Sequence, residues 1–429
     1  MRHGWRWLAV ALGLLACVAT AQATGDSGVA DASAPGGTLD SLLTIARQNN
    51  PELSAVRYEA QAAIERVVPA GALMDPRLKV DLQDITKMGE QGANVLPSQV
   101  GATAYTLTQE LPWSGKRDLK RDIATLDAEA AQVRARQNWV DLAARIKALF
   151  VQRYLVRANE RIANETLELM LQQEKVMQVR YAGGLAAQQD ITRIHVEHTA
   201  MRAELVALGA EWRQTQTRLN TLLARPAHAP LAAPLALRPL PEAASLDFAA
   251  LSERLRNANP SLSVAAFGVL SAEKTRDLTN KSRYPDFTLG INAMQRQNTF
   301  KEWGLMVELN LPIRDRVLQA QERESEALLA AAQSRQQAAA TQLLAELADN
   351  LIALDAARQT EHLMTYSLMP QADLTWRAAL AAYENGKADF TTLLDAQRQI
   401  RQARQSQIKA QAEAQMRLID IERLVGEEL

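Results

Sequence analysis

The sequence repeats itself, and that repeat limits what the chain can fold into. Asn50-Pro51-Glu52-Leu53-Ser54 returns as Asn259-Pro260-Ser261-Leu262-Ser263. Further on, Asp75-Pro76-Arg77-Leu78-Lys79-Val80 is matched without a gap by Tyr284-Pro285-Asp286-Phe287-Thr288-Leu289. Gln109-Glu110-Leu111-Pro112 pairs with Leu309-Asn310-Leu311-Pro312, and Tyr181-Ala182-Gly183-Gly184 with Tyr383-Glu384-Asn385-Gly386. The matches keep one order, so a single unit has been duplicated. Between the copies, residues 225–245 hold Pro226, Pro230, Pro234, Pro239 and Pro241, a spacing no helix can run through. The units are therefore expected over 38–224 and 246–429, joined by that linker.

Each unit reads helix, strand, loop, strand, long helix, turn, helix. Period-2 alternation marks strands at about 76–85, 102–111, 286–294 and 302–311. It is clearest where Trp303, Leu305, Val307, Leu309 and Leu311 alternate with Glu302, Gly304, Met306, Glu308 and Asn310. Each segment has the length a tilted strand needs to cross a bilayer. No proline lies between Pro112 and Pro226, and Ile123, Leu126, Ala130, Val133 and Val140 recur at coiled-coil spacing. Ala340, Leu344, Leu347, Leu351 and Leu354 repeat the seam. A continuous helix from Asp118 to Arg180 would reach roughly 95 Å. In the second copy Pro370 is expected to kink or interrupt the corresponding helix. Four strands cannot close a barrel, and open edges are not tolerated in lipid. Three chains would supply twelve strands and two would supply eight; the arithmetic permits both.

The amino terminus has the form of an export signal. Arg2 and Arg6 precede an apolar run from Leu8 to Val18, and Ala21-Gln22-Ala23 is a small-x-small cleavage site. The run is too short to span a bilayer. Leu14-Leu15-Ala16-Cys17 leaves a second possibility, lipidation of Cys17. The expected boundaries are a signal over 1–23 and a disordered lead-in over 24–37. Cys17 is the only cysteine, so neither an intrachain disulfide nor a thiolate-held zinc or iron–sulfur centre can form. With 48 Lys and Arg against 49 Asp and Glu, the chain lacks the basic excess that nucleic acid binding uses. No nucleotide fingerprint, Gly-x-Ser-x-Gly elbow or paired catalytic carboxylates stand in a credible context. The reading is of a protein without enzyme activity and without a cofactor.

The duplicated unit, the turn Gln109-Glu110-Leu111-Pro112-Trp113-Ser114-Gly115-Lys116-Arg117 and the two Tyr-x-x-Gly hairpins resemble the outer-membrane efflux protein family, the TolC-like channels. The likeness runs from about Thr38 to Val425. It implies an α+β membrane protein and homotrimer: a twelve-stranded barrel in outer-membrane lipid, four strands per chain, above a long periplasmic barrel of antiparallel helices. It also implies two partners, a periplasmic adaptor and an inner-membrane pump of the resistance-nodulation-division type. The Asp75-Pro76 start and the Pro-x-x-Gly-Lys-Arg turn most resemble cobalt–zinc–cadmium-type channels, which implies divalent metal cations as cargo. Multidrug export and protein secretion use the same scaffold. A periplasmic coiled-coil adaptor would share the heptads and the signal but leave the four alternating segments unexplained.

By the same resemblance Asp190, Tyr383 and Asp395 are expected to close the periplasmic entrance, with Gly184 and Gly386 in the hairpins where the adaptor docks. Two positions depart from the family pattern. Thr392 stands where a second acidic ring is often found and Ala388 where a basic partner can occur, while Asp389 is a poor substitute for the ring. The plainer alternative is that these acids are solvated residues at helix starts. His195 and His198 flank Glu197 on one helix face but lack the His-Glu-x-x-His spacing of a zinc site, so they are expected at a solvated surface. Gly115-Lys116-Arg117 is not a phosphate loop. It is expected to end a strand with cations at the bilayer edge, with Trp113 and Trp303 suited to interfacial belts.

Overall fold

Each half begins with a broken helix. In this computed structural model, which describes residues 34–429 apart from 91, 185, 297, 298 and 314, α1 (Leu39–Asn49) stops at Asn50 and α2 (Pro51–Glu65) restarts. The second half repeats the break at Asn259, between α6 (Phe248–Ala258) and α7 (Pro260–Lys281). Proline lacks a donor and suits the first helical position, so each Asn-Pro pair starts a new helix. The Asn50 carboxamide accepts from the Leu53 N–H at 3.1 Å and donates to the Leu222 carbonyl at 2.8 Å. Asn259 accepts from Leu262 at 3.0 Å and donates to Leu424 at 2.7 Å. Each asparagine thus caps the second helix of its unit and ties it to the end of that unit's last helix. Asn259→Ala removes the cap and orphans a buried carbonyl, and is expected to cost about 2–3 kcal/mol. A thermal midpoint equal to wild type would refute that role.

A short helix α3 (Val67–Gly71) leads into the sheet. The strands are β1 (Arg77–Gln83), β2 (Ala102–Leu111), β3 (Asp286–Arg296) and β4 (Thr299–Asn310), antiparallel in the order β1-β2-β3-β4. The register aligns Leu78 with Leu107, Leu107 with Ile291, and Ile291 with Leu305. Val80, Tyr105, Ala293 and Trp303 form the next row, so one face is largely apolar, interrupted by Gln109 opposite Leu289 and by Thr103 opposite Gln295. On the other face Glu110, Thr288 and Glu308 share a row, as do Thr106, Asn292 and Gly304. The β3–β4 hairpin reaches past the expected bounds because a bulge between Met294 and Gln295 breaks the alternation and hides the extra pairs. No helix among the described residues is long and apolar enough to cross a membrane.

The helices below the sheet are α4 (Lys116–Ala182) and α5 (Gln188–Leu222), then α8 (Asp315–Leu363), α9 (Met369–Glu384) and α10 (Phe390–Val425). A π-helical turn, Met364–Leu368, separates α8 from α9, just before Pro370. Ala130, Val133, Leu347 and Leu354 of the expected seams are buried, and the other seam residues are half-buried. Two corresponding cores gather where the short helices meet the long ones. Leu42, Leu142, Ile146 and Leu219 form one; Leu251, Leu347, Ile421 and Leu424 form the other. The expected signal over 1–23, Cys17 and the expected lead-in as far as residue 33 lie outside the described residues. Pro35–Gly37, expected within the disordered lead-in, are ordered: their carbonyls accept from Ala232 and Leu235 of the linker at 3.0 and 3.2 Å. The linker also takes a bond from Arg153, which is buried with its guanidinium 3.7 Å from the Trp212 ring centre. Burial lowers the pKa of Arg153 to about 10.

Candidate functional site

The two helical hairpins end at glycines with left-handed backbones, Gly184 at φ +71° and Gly386 at φ +67°. Nothing would touch a Cβ at either position, so backbone conformation rather than space favours glycine. Past Gly386 the N–H groups of Lys387 and Ala388 both turn back to the Ala382 carbonyl. Asp389 then caps α10, accepting the Thr392 N–H at 2.9 Å and the Thr392 hydroxyl at 2.6 Å. The Thr392 hydroxyl, followed by its N–H, holds the Asp389 carboxyl below its ordinary pKa. Thr392, in place of an acidic ring, therefore serves the helix start.

Tyr383 lies half-buried at the end of α9, against Phe390, with ring centres 5.9 Å apart. Its hydroxyl donates to the Met177 sulfur. Arg180 of α4 stacks over the ring at 4.7 Å and donates to the Tyr383 carbonyl at 3.3 Å. Burial raises the pKa of the Tyr383 hydroxyl, against the pull of Arg180 and with the help of the Asp190 charge. Asp190 sits in the first turn of α5. Tyr383 and Arg180 thus form one contact, with the Asp190 charge acting on the hydroxyl from the start of α5, and the cation comes from α4 instead of from residue 388. Arg180 carries no sequence signal beyond that of a basic residue closing a helix.

Asp395 belongs to a second network. Its carboxylate lies 3.2 Å from Arg398, which also binds Glu197 of α5. Further along, Arg401 meets Glu204 at 3.1 Å and Arg404 meets Glu165 at 3.2 Å. Three arginines of α10 therefore fasten it to the hairpin of α4 and α5. The histidine pair is divided: His195 lies 3.4 Å from Glu174, Glu197 is taken by Arg398, and the His198 Nε2 is buried without a partner. Among the described residues no group of three or more His, Cys, Asp or Glu is arranged to hold a metal.

At the other end, the Trp113–Lys116 turn differs from expectation. Lys116 is not a free interfacial cation. It is buried, binding the Asp286 carboxylate and the Tyr284 carbonyl, both at 2.9 Å. Trp113 stacks on Tyr284, with ring centres 5.1 Å apart, and its backbone N–H donates to the Asp286 carboxylate. The turn pins the end of β2 to the start of β3, joining the two units. Trp303 is exposed on the apolar face.

The chain is 25% identical over 398 residues to the pyoverdine export outer membrane protein OpmQ of Pseudomonas putida, covering 87% of this chain and 82% of that protein. It is 24% identical over 396 residues to the cobalt-zinc-cadmium resistance protein CzcC of Cupriavidus metallidurans, covering 91% and 90%. The fold matches the outer membrane protein VceC of Vibrio cholerae with a TM-score of 0.79 at 16% identity, over 91% of this chain and 96% of that one. A family model described as outer membrane efflux protein matches residues 42–225 and 251–427, one stretch in each half. With its duplicated helices and one-sided apolar sheet, the chain belongs to the outer membrane efflux protein family.

Proposed function

We infer that three copies of this chain form the passive outer-membrane exit duct of a tripartite export assembly, carrying divalent metal cations. The sheet register supports the duct most directly. Among the described residues its outer edges, β1 and β4, have no further strand beside them, and its one face is largely apolar, so in lipid it closes only with further copies. Three copies give twelve strands, wide enough to leave a lumen, whereas eight strands fill with side chains. We take the two units as 38–224 and 246–429, with the linker between, a division supported by one family match falling on each half, 42–225 and 251–427. The helices continue the duct through the periplasm, the adaptor docks on the hairpins of Gly184 and Gly386, and an inner-membrane pump supplies the energy. Asp190, Tyr383 and Asp395 close the entrance through Arg180 and Arg398. The duct performs no bond chemistry.

Cationic cargo is supported by the likeness to CzcC and by the polar face of the sheet, where Glu110 and Glu308 flank Thr288 near the periplasmic mouth. Three chains would set six carboxylates at that level, a field that concentrates cations. The likeness to OpmQ favours a second reading, a siderophore-like organic cargo. Growth of a strain lacking the gene separates them. Sensitivity to cobalt, zinc or cadmium, restored by the gene, is the expected result. Normal metal tolerance with loss of a secreted chelator would transfer the channel to the second cargo, and sensitivity to dyes and detergents would make it a multidrug outlet.

A further inference from the structure

We propose that the π-helical turn Met364–Leu368, together with Pro370, is the hinge on which the gate-bearing arm α9 swings. The proposal rests on the gate reading of Tyr383 above. The duplicated unit supplies an internal control. Pro112 and Tyr181 are 69 positions apart in the first unit, whereas Pro312 and Tyr383 are 71 apart in the second. Counted back from the tyrosines, Met364–Leu368 corresponds to Ile162–Thr166, which lies in the unbroken helix α4. The second unit has therefore gained residues, and one place where the surplus is taken up is visible. The Met369 N–H binds the Met364 carbonyl, five residues back, so this turn holds about one residue more than an α-turn.

Pro370 keeps the joint from healing. It has no N–H to offer the turn above it, and its ring crowds the carbonyl four residues earlier. Few buried side chains hold the joint. None of its five residues is buried, and Tyr366 is 70% exposed, whereas Ile162, Ala163 and Thr166 are all buried at the matching depth of α4. Among the described residues, a hydrogen bond from Gln407 of α10 to the Thr365 hydroxyl at 3.0 Å tethers the joint. Below the joint, α9 buries Ala372 and Ala379 and packs Trp376, Leu380 and Tyr383, half-buried, against Phe390, Leu393 and Leu394 of α10, so its apolar contacts gather toward the tip and away from the joint. The arm then ends at Tyr383 and Glu384, in the network with Arg180.

The lever is long enough to matter. Sixteen helical residues span about 24 Å, so a bend of about 10° at the joint moves the end by about 4 Å in each chain. Hinges of this kind are a few element-terminal residues far from the part that moves. The hairpin of α4 and α5 has no such joint at the matching depth, because α4 is unbroken there.

Two measurements on the full-length trimer test this. Native-state hydrogen exchange should show the amides of 364–369, 371 and 372 opening about tenfold faster than amides 162–170. Equal protection of the two stretches would overturn the hinge. Separately, Arg180→Ala in lipid bilayers should raise conductance if Tyr383 is a gate. Deleting Tyr366 and replacing Pro370 by alanine in that background straightens the helix and should abolish the gain while trimers still form. A straightened channel that opens as widely as its parent would also overturn the hinge. Failure of Arg180→Ala alone to raise conductance would instead count against the gate, leaving the exchange result to judge the hinge on its own. If the deletion prevents assembly, the exchange comparison on the unaltered protein decides.

Discussion

Glu422→Ala should cost about 3–5 kcal/mol of stability at neutral pH, because it strips the counter-charge from a buried cation. Glu422 is 4% exposed. One oxygen accepts from Arg238 at 2.8 Å and from the Leu429 N–H at 3.0 Å, and the other from Lys147 at 3.0 Å. The Lys147 side chain is 7% exposed, and its remaining partner, Glu428 at 2.7 Å, is largely in solvent. Truncating Glu422 leaves Lys147 desolvated beside a partner that water screens. Replacing both ends by apolar residues of similar size, Lys147→Met with Glu422→Leu, should recover most of the loss, since a buried pair and a packed apolar pair are often near-equal in stability. Thermal unfolding of the detergent-solubilised trimer reads both, and a double variant no more stable than the single one would refute the charge argument.

The same carboxylate sets an acid limit. Burial alone would raise the Glu422 pKa, but the bonds from Arg238, Leu429 and Lys147 outweigh it and hold it below the ordinary glutamate value. A depressed folded-state pKa means the stabilisation is complete above the unfolded value, about 4.3. It is lost as pH falls through the lower folded value. The midpoint should therefore be insensitive to this group near pH 7 and fall in more acid solution, and Glu422→Gln should flatten that fall.

The sequence announced its architecture because duplication and period-2 alternation are local properties. The Asn-Pro pairs, the four strands and the interruption near Pro370 can each be read from adjacent residues. What was not legible depends on partners far apart in the chain. Lys116 looks like an interfacial cation until β3 brings Asp286 beside it. Glu422 and Lys147 are separated by most of the chain and carry no pattern that links them. The same holds at the tips. Ala388 and Thr392 read as gaps in a family pattern, yet the cation that faces Tyr383 comes from α4, at Arg180. Tertiary contact moved the charge to the other hairpin, and one-dimensional spacing has no means of showing that.

Arg180→Ala combined with Arg398→Ala should open the channel, raising single-channel conductance roughly tenfold under low salt. Arg180 contributes a stacked cation and a hydrogen bond to Tyr383, each about 1 kcal/mol. Arg398 holds Asp395 to Glu197, and exposed pairs of that kind contribute at most about 1 kcal/mol. Threefold symmetry multiplies these modest terms to several kcal/mol per trimer, and each 1.4 kcal/mol is about tenfold in an equilibrium. The remaining bonds of Arg401 and Arg404 keep the gain well below that ceiling. Asp190→Asn and Asp395→Asn act on the two networks separately, so their conductances apportion the closure between the Tyr383 and Arg398 branches. Because the Arg398 branch is exposed and the Arg180 branch half-buried, salt should weaken the first more than the second. Folded trimers of the double variant with wild-type conductance would remove these residues from the gate, whatever else the hairpins do.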